Sequence, residues 1–265
     1  MKDPNQQVAL ITGSSMGIGL SLARLMAQQG FRLVLNARNA DRLQGTLKEF
    51  RQDGYEAIAV AGDVSKETDC QAIVDQTVAQ YGRLDILVNN AGISTQGTLA
   101  ELSPEVFRKV MDVNYFGSVF MTQSALPYLK QQQGSVLFIS SAAGIRGIPG
   151  HAAYSSSKMA LTALAESLKI ELHHDQVHVG IAYVGFTEND PRKVIYDSDG
   201  KVIPQPDRSF IKQEPVELVA KRLYHMVENR TFKSVFTPLG KLNAFMNKIL
   251  PSVGELVLRR NFFKS

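Results

Sequence analysis

Val8-Ala9-Leu10-Ile11-Thr12-Gly13-Ser14-Ser15-Met16-Gly17-Ile18-Gly19 decides how the rest of the chain is read. A short apolar run passes directly into a glycine-rich turn, the pattern of a buried strand that hands over to a helix. Glycines there let backbone approach a pyrophosphate and let the helix start tightly against the strand. The helix N-terminus then offers free N–H groups to the phosphates. The spacing is G-x-x-x-G-x-G rather than the dinucleotide pattern G-x-G-x-x-G. Gly13, Ser15, Met16, Gly17, Ile18 and Gly19 are the candidate cofactor contacts of this turn. A bare strand-to-helix connection is the alternative.

Working outward, apolar runs at Phe31–Asn36, Ala57–Ala61, Leu84–Val88, Ser135–Ser140 and His178–Tyr183 alternate with amphipathic stretches. The latter, at Gly17–Gln29, Asp41–Asp53, Glu67–Tyr81, Pro104–Lys130 and Ala152–His173, predict helices. Strands apolar on consecutive positions are buried on both faces, and the alternation predicts a doubly wound α/β fold, a parallel sheet with helices on both sides. Gly30 suits a helix C-cap, and Ser103-Pro104 an N-cap followed by proline at the first helical position. From Phe186 to Gln213 the chain is polar and carries Pro191, Pro204 and Pro206, which predicts a weakly structured functional loop. A helix over Pro215–Asn229, a last strand over Phe232–Thr237 and a helical tail over Leu239–Phe262 complete the chain.

The 265 residues are 44% hydrophobic and 20% charged, enough for one domain with a full core and too apolar for a mostly disordered chain. The single cysteine, Cys70, excludes an intramolecular disulfide and a Cys-rich zinc module, suits a reducing compartment and reads as inert packing. No apolar run approaches the roughly 20 residues that span a bilayer. Met1–Gln7 is polar, so no signal peptide and a cytoplasmic location are expected. The net charge of +4 resides in Lys241, Lys248, Arg259, Arg260 and Lys264 against Glu255, leaving the first 240 residues formally neutral. A nucleic-acid binder spreads its basic face over the fold, so no nucleic-acid partner is expected.

Further motifs sit at predicted strand ends, where ligands gather in parallel sheets. Ala37 leaves no carboxylate for an adenosine ribose, and Arg38 can face a 2′-phosphate, which favours NADP(H) over NAD(H). Asp63-Val64 could meet the adenine, with a helix N-cap as the alternative role of Asp63. Asn89-Asn90-Ala91-Gly92 follows the fourth strand. Tyr154 and Lys158 lie at i and i+4 of a predicted helix, so phenol and ammonium share a face; a nearby cation favours phenolate and fits the phenol for proton transfer. His151 is a candidate lining of the substrate entrance, His173 and His174 suit a helix C-terminus, and no metal site is expected.

Thr12–Gly19, Asn89–Gly92, Asn114, Ser140-Ser141 and Tyr154/Lys158, in this order and with Ser141 thirteen residues before Tyr154, resemble the short-chain dehydrogenase/reductase family. The resemblance covers about Gln7 to Tyr183, and more weakly Pro215 to Thr237. It implies a single Rossmann-type catalytic domain over 1–238, with a substrate loop at 186–213 and a basic amphipathic tail over 239–265. Ser141, Tyr154, Lys158 and Asn114 are its implied catalytic residues. Tyr154 would act as general acid/base, with Ser141 on the substrate oxygen. Lys158 would bind the nicotinamide ribose, and Asn114 would hold a water that links Lys158 to solvent. Asn90, Ala91, Gly92, Gly185 and Thr187 join the implied cofactor contacts. A carbonyl or alcohol substrate and a homodimer or homotetramer are implied as partners.

The chain departs from the family pattern at Val184-Gly185-Phe186-Thr187, where Pro-Gly is common, and at Met16, where many NADP-using members carry a basic residue. The polar segment and basic tail loosely resemble the branch of hydroxysteroid dehydrogenases and lipid-ketone reductases, so a bulky apolar substrate is expected. An extended-type epimerase or dehydratase, and a catalytically idle NADP-binding sensor, are the rivals. In the tail, Leu242, Phe245, Met246, Ile249, Leu250, Val253, Leu256 and Val257 fall on one helical face, with a break expected at Pro251. That face could pack on its own domain, on a second subunit or peripherally on an anionic membrane.

Overall fold

The structure, a computed structural model, describes residues 6–188, 190–206, 211, 213–249 and 251–262. Strands β1 (Val8–Thr12), β2 (Arg32–Ala37), β3 (Ala57–Ala61), β4 (Ile86–Asn89), β5 (Ser135–Ser141) and β6 (His178–Val184) alternate with helices. These are α1 (Gly17–Gln28), α2 (Ala40–Gln52), α3 (Glu67–Tyr81), α4 (Pro104–Met111), α5 (Gly117–Gln132) and α6 (Ala152–Glu171). With β9 (Lys233–Val235) the strands form one parallel sheet in the order β3-β2-β1-β4-β5-β6-β9. The order reverses between β1 and β4, so their C-terminal ends flank the crevice where such sheets bind ligands.

Each strand of the centre is dry on both faces, which is why its sequence is apolar without alternation. Ala9 and Ile11 of β1 point into one core with Leu22 and Met26 of α1, Leu43 and Phe50 of α2 and Leu223 of helix α7 (Val216–Glu228). Val8 and Leu10 point into the other, with Ile73 of α3, Met121 of α5 and Leu161 of α6. Full burial of one such aliphatic side chain is worth about 1.5–3 kcal/mol, so the two cores hold the sheet between its helix layers. Ser103 caps α4 by accepting from the Val106 N–H, with Pro104 following as expected. Gly30, at φ +92°, follows the end of α1.

Two expectations are corrected. The stretch over 186–213 is not weakly structured throughout: β7 (Val194–Tyr196) and β8 (Val202–Pro204) form an antiparallel hairpin within it. Residues 189, 207–210 and 212 of that stretch lie outside the described residues. The predicted single helix over Pro104–Lys130 carries a π-helical turn at Asp112–Phe116 between α4 and α5, which brings Asn114 inward to full burial. The tail breaks at Pro251 as the ring requires, into α8 (Pro238–Ile249) and α9 (Pro251–Phe262). Leu242, Phe245, Ile249 and Leu256 of its apolar face are exposed. The side chains of Met246, Leu250, Val253 and Val257 lie outside the described residues. Among the described residues no helix is long and apolar enough to cross a membrane.

His178, buried at the start of β6, reports on the integrity of the sheet. Burial lowers its pKa from 6.5 to about 4 against the opposing backbone of Thr231, with Arg230 adding to the fall. The fold therefore prefers the neutral ring, and the unfolded chain takes the extra proton. Stability is complete above the ordinary value, falls as pH drops from about 6.5 toward about 4, and levels off below, a total of up to about 3 kcal/mol. Urea unfolding midpoints across that window should fall for the wild type and stay flatter for His178→Phe.

Candidate active site

The crevice between β1 and β4 is closed at its floor by hydrogen bonds between the two turns that leave it. The Thr12 hydroxyl accepts from the Asn90 and Ala91 N–H groups, both at 3.0 Å, and donates to the Val88 carbonyl at 3.3 Å. The Asn90 amide donates to the Thr12 and Gly13 carbonyls at 2.8 and 3.1 Å. Asn90, singled out as a cofactor contact, is thus a brace with its side chain turned behind the glycine turn. At Gly19 a Cβ would collide with that Asn90 amide and the Gly13 carbonyl, so helix and strand meet as closely as they do only without a side chain. Gly17 takes φ +54° with open space beyond its Cα.

That helix start is chemically unfinished. Its N-cap residue is Met16, which has no side-chain cap, and its first turn holds no acidic residue. The Gly17 N–H instead donates to Asp190 at 3.3 Å, a carboxylate from the segment after β6. The helix start therefore takes an anion in this structure, as a phosphate-binding turn would. Ser15 is buried within the same turn. The missing basic residue at Met16 has a neighbour that the sequence did not flag: Arg42, from the first turn of α2, approaches the Met16 sulfur at 3.6 Å.

Arg38 follows β2, half exposed, with Asp63 at 3.8 Å. Asp63 is not the cap of α3, which begins after Lys66; its carboxylate instead accepts from the Ser65 N–H and hydroxyl. Arg38, Asp63 and Ser65 line a cavity of about 290 Å³ with Glu105, Arg108, Lys109, Asp112 and Val113. A hollow of about 310 Å³ along α2, lined by Gln44, Leu47, Lys48, Arg51 and Gln52, contains none of the predicted site residues. Val64 is buried beside the π-helical turn, against Gly117.

On the other side of the crevice, Lys158 of α6 is almost fully buried and donates to the Ile139 carbonyl at 2.9 Å. Its ammonium lies 5.9 Å from the centre of the Tyr154 ring, on the shared helix face. Burial first, and then the charge of Lys193, lower the Lys158 pKa from 10.5 to about 8. A Cβ on Gly92 would come within 3.4 Å of this ammonium, so the turn after β4 reaches the lysine. Ser141 ends β5, and its hydroxyl accepts from the Ala143 N–H at 3.3 Å. Asn114 accepts from the Ile93 N–H at 2.8 Å and donates to the Ile93 carbonyl and to Ser157, both at 2.9 Å. Its side chain is thereby fixed between the turn after β4 and α6.

Gly185 and Thr187 are packed against the segments that follow α7 and precede it, respectively. At Gly185 the Thr237 side chain occupies the space a Cβ would need. Thr187 pairs with Glu214 in a parallel bridge, with its hydroxyl 3.4 Å from the Gly185 carbonyl. His151 holds the Thr95 carbonyl at 2.7 Å. Cys70 is buried, with burial first and then Asp69, Asp63 and Glu67 pushing its thiol up to about 12, which leaves it inert.

Comparison with known proteins agrees with this geometry. The sequence model of the family described as short chain dehydrogenase matches residues 7–199. The chain belongs to the short-chain dehydrogenase/reductase family. It is 40% identical over 213 residues to 11-beta-hydroxysteroid dehydrogenase 1A of Arabidopsis thaliana, covering 79% of this chain and 60% of that protein. It thus spans about 60% of the length of such plant relatives. Over its whole length it is 34% identical to the uncharacterized oxidoreductase YxnA of Bacillus subtilis (strain 168), covering 75% of that protein. Among solved structures, a short-chain dehydrogenase/reductase from Burkholderia phymatum in complex with NAD superposes with a TM-score of 0.83 at 25% identity, over 94% of this chain and 95% of that one. An alcohol dehydrogenase from Thermococcus sibiricus complexed with 5-hydroxy-NADP gives 0.76 at 28% identity, over 87% and 95%.

The Asn90 brace is open to test. Asn90→Ala removes two hydrogen bonds at the crevice floor and leaves the Gly13 carbonyl without its partner, which should cost about 1–3 kcal/mol in urea unfolding. It should also weaken binding of any dinucleotide held by the glycine turn, measured by calorimetry.

Proposed function

We propose that the chain is an NADP(H)-dependent oxidoreductase that interconverts a ketone and a secondary alcohol, with a bulky, apolar substrate of steroid, lipid or 3-oxoacyl type. The observation that carries this reading is the buried Lys158 ammonium beside Tyr154, at the carboxyl edge of the sheet and within reach of the turn at Gly92. The substrate class is supported by the names of the plant relatives and by Phe186, exposed just after β6.

The glycine turn fits a dinucleotide diphosphate because its helix start lacks a cap of its own and accepts an anion. Arg38 and the cavity it shares with Asp63, Arg108 and Lys109 would take the adenosine and its 2′-phosphate. Lys158 would hold the nicotinamide ribose hydroxyls. When bound, the nicotinamide supplies or accepts the hydride.

The chain's own residues handle the proton. In reduction the Tyr154 hydroxyl gives its proton to the substrate oxygen; in oxidation the Tyr154 phenolate removes one. Ser141 donates to the same oxygen and fixes its position. The Lys158 charge stabilises the phenolate more strongly than it would in water, because the lysine is buried. With its pKa near 8, Lys158 is mostly protonated at neutral pH and loses that charge in mildly alkaline solution. Asn114 positions α6 through Ser157, whose hydroxyl donates to the Tyr154 carbonyl at 2.7 Å, and we assign it the support of the proton path behind Lys158.

Tyr154→Phe keeps the ring and removes the proton. Turnover of NADPH with a panel of steroid and lipid ketones should fall at least about 100-fold while calorimetric NADPH binding is unchanged. Near-normal turnover would refute the role. Arg38→Ala should weaken NADPH about tenfold and leave NADH unchanged, the effect of losing one charged contact to a phosphate. Equal NADPH binding in both proteins, or a wild type that prefers NADH, would overturn the assignment of the cofactor.

A further inference from the structure

Seven consecutive residues, Asp190 to Tyr196, touch the groove just described at both ends of the segment. Asp190 accepts from the Gly17 N–H at the start of α1. Its carboxylate is mostly covered and is also gripped by Arg192, at 2.8 and 2.6 Å. Tyr196, buried, sits under the Lys109 ammonium, 3.9 Å from its ring centre, and its phenol is hydrogen-bonded by Arg38 and Lys109. The backbone anchors this end, with the Tyr196 N–H donating to Ser94 and its carbonyl accepting from Gln96.

These contacts coincide with the diphosphate and adenosine parts of the proposed cofactor seat. We infer that the Asp190 carboxylate is a built-in occupant of the dinucleotide groove, which the cofactor's diphosphate must displace to bind. The inference rests on the dinucleotide reading of the glycine turn. An anion at Gly17 and a cofactor phosphate at the same N–H exclude each other, because both carry negative charge and the site offers one set of donors. A carboxylate serving only as a helix cap would come from the N-cap position itself, where Met16 stands. Asp190 instead reaches the helix from 173 residues away. The contact is long at 3.3 Å and Arg192 is half exposed, so the occupant is held loosely enough to leave. Tyr196 is the fixed end of the segment, held by its backbone bonds to Ser94 and Gln96.

The test is calorimetric binding of NADPH, NADH, ADP and adenosine to the wild type, Asp190→Asn and Asp190→Ala, with thermal melts as a check on folding. Removing the competing charge should tighten ADP and both dinucleotides at least about fivefold, on the scale of one charge-assisted hydrogen bond, and leave adenosine unchanged. Equal or weaker ADP and dinucleotide binding by folded variants overturns the inference while leaving the functional reading intact. A wild type that binds no dinucleotide overturns both. The wild type alone supplies a second measurement: NADPH without substrate should speed tryptic cleavage after Arg192 and Lys193. Unchanged or slower cleavage contradicts displacement.

Discussion

The hydroxyl of Thr12 takes part in three hydrogen bonds at the point where the sheet divides, to Val88, Asn90 and Ala91. β1 and β4 lie side by side, but the helices that follow them pack on opposite faces of the sheet. Without a tie, the two turns would be free to part, because no strand hydrogen bonds extend beyond the last paired residues, Ile11 and Val88. Thr12 and Asn90 supply that tie with side chains. A crevice between parallel strands is open to ligand because its walls diverge, and rigid because its floor is pinned.

The same economy governs the other wall. Burying the Lys158 ammonium costs several kcal/mol, and the hydrogen bond to the Ile139 carbonyl offsets only part of that. A protein under pressure for stability alone would place an apolar residue there. Beside the lysine runs a chain of polar contacts, from Ile93 through Asn114 and Ser157 to the backbone of Tyr154. The π-helical turn that carries Asn114 belongs to this arrangement, since the extra residue in the turn lets α4 and α5 continue in line while Asn114 points inward. An irregular helical turn and a buried charge thus meet beside Tyr154 and Lys158.

The fold was legible because its strands are buried on both faces, and burial on both faces writes itself as unbroken apolar runs such as Val8–Ile11 and Val136–Ile139. The glycine turn was legible because only glycine allows the contacts made at residue 19. Tyr154 and Lys158 were legible as a pair because four residues make one helical step. The hairpin in the 186–213 stretch was not, since three-residue strands flanked by proline and charge leave no periodicity to count. Nor were the partners of Asn90, Gly185 or Gly17. A side chain that braces a turn and one that touches a ligand occupy the same sequence position and differ only in direction. Contacts such as Asp190 with Gly17 join places that nothing in a linear pattern connects.

Met16 brings these strands together. Helix α1 begins without a side-chain cap and without an acidic residue in its first turn, although a serine, threonine or aspartate at that position is worth about 1 kcal/mol. A local cap would satisfy the helix permanently and place its oxygen where a phosphate has to come. An uncapped helix start keeps its donors open, at a standing cost in stability that any passing anion can relieve. A fold that must give those donors up to a ligand therefore gains from a temporary partner carried on a separate segment, one whose contact is long and whose counter-ion is half in water. Asp190 with Arg192 has those properties. The segment that carries them ends on Tyr196, which its backbone bonds to Ser94 and Gln96 hold in place, so Asp190 can leave the start of α1 while the hairpin stays where it is.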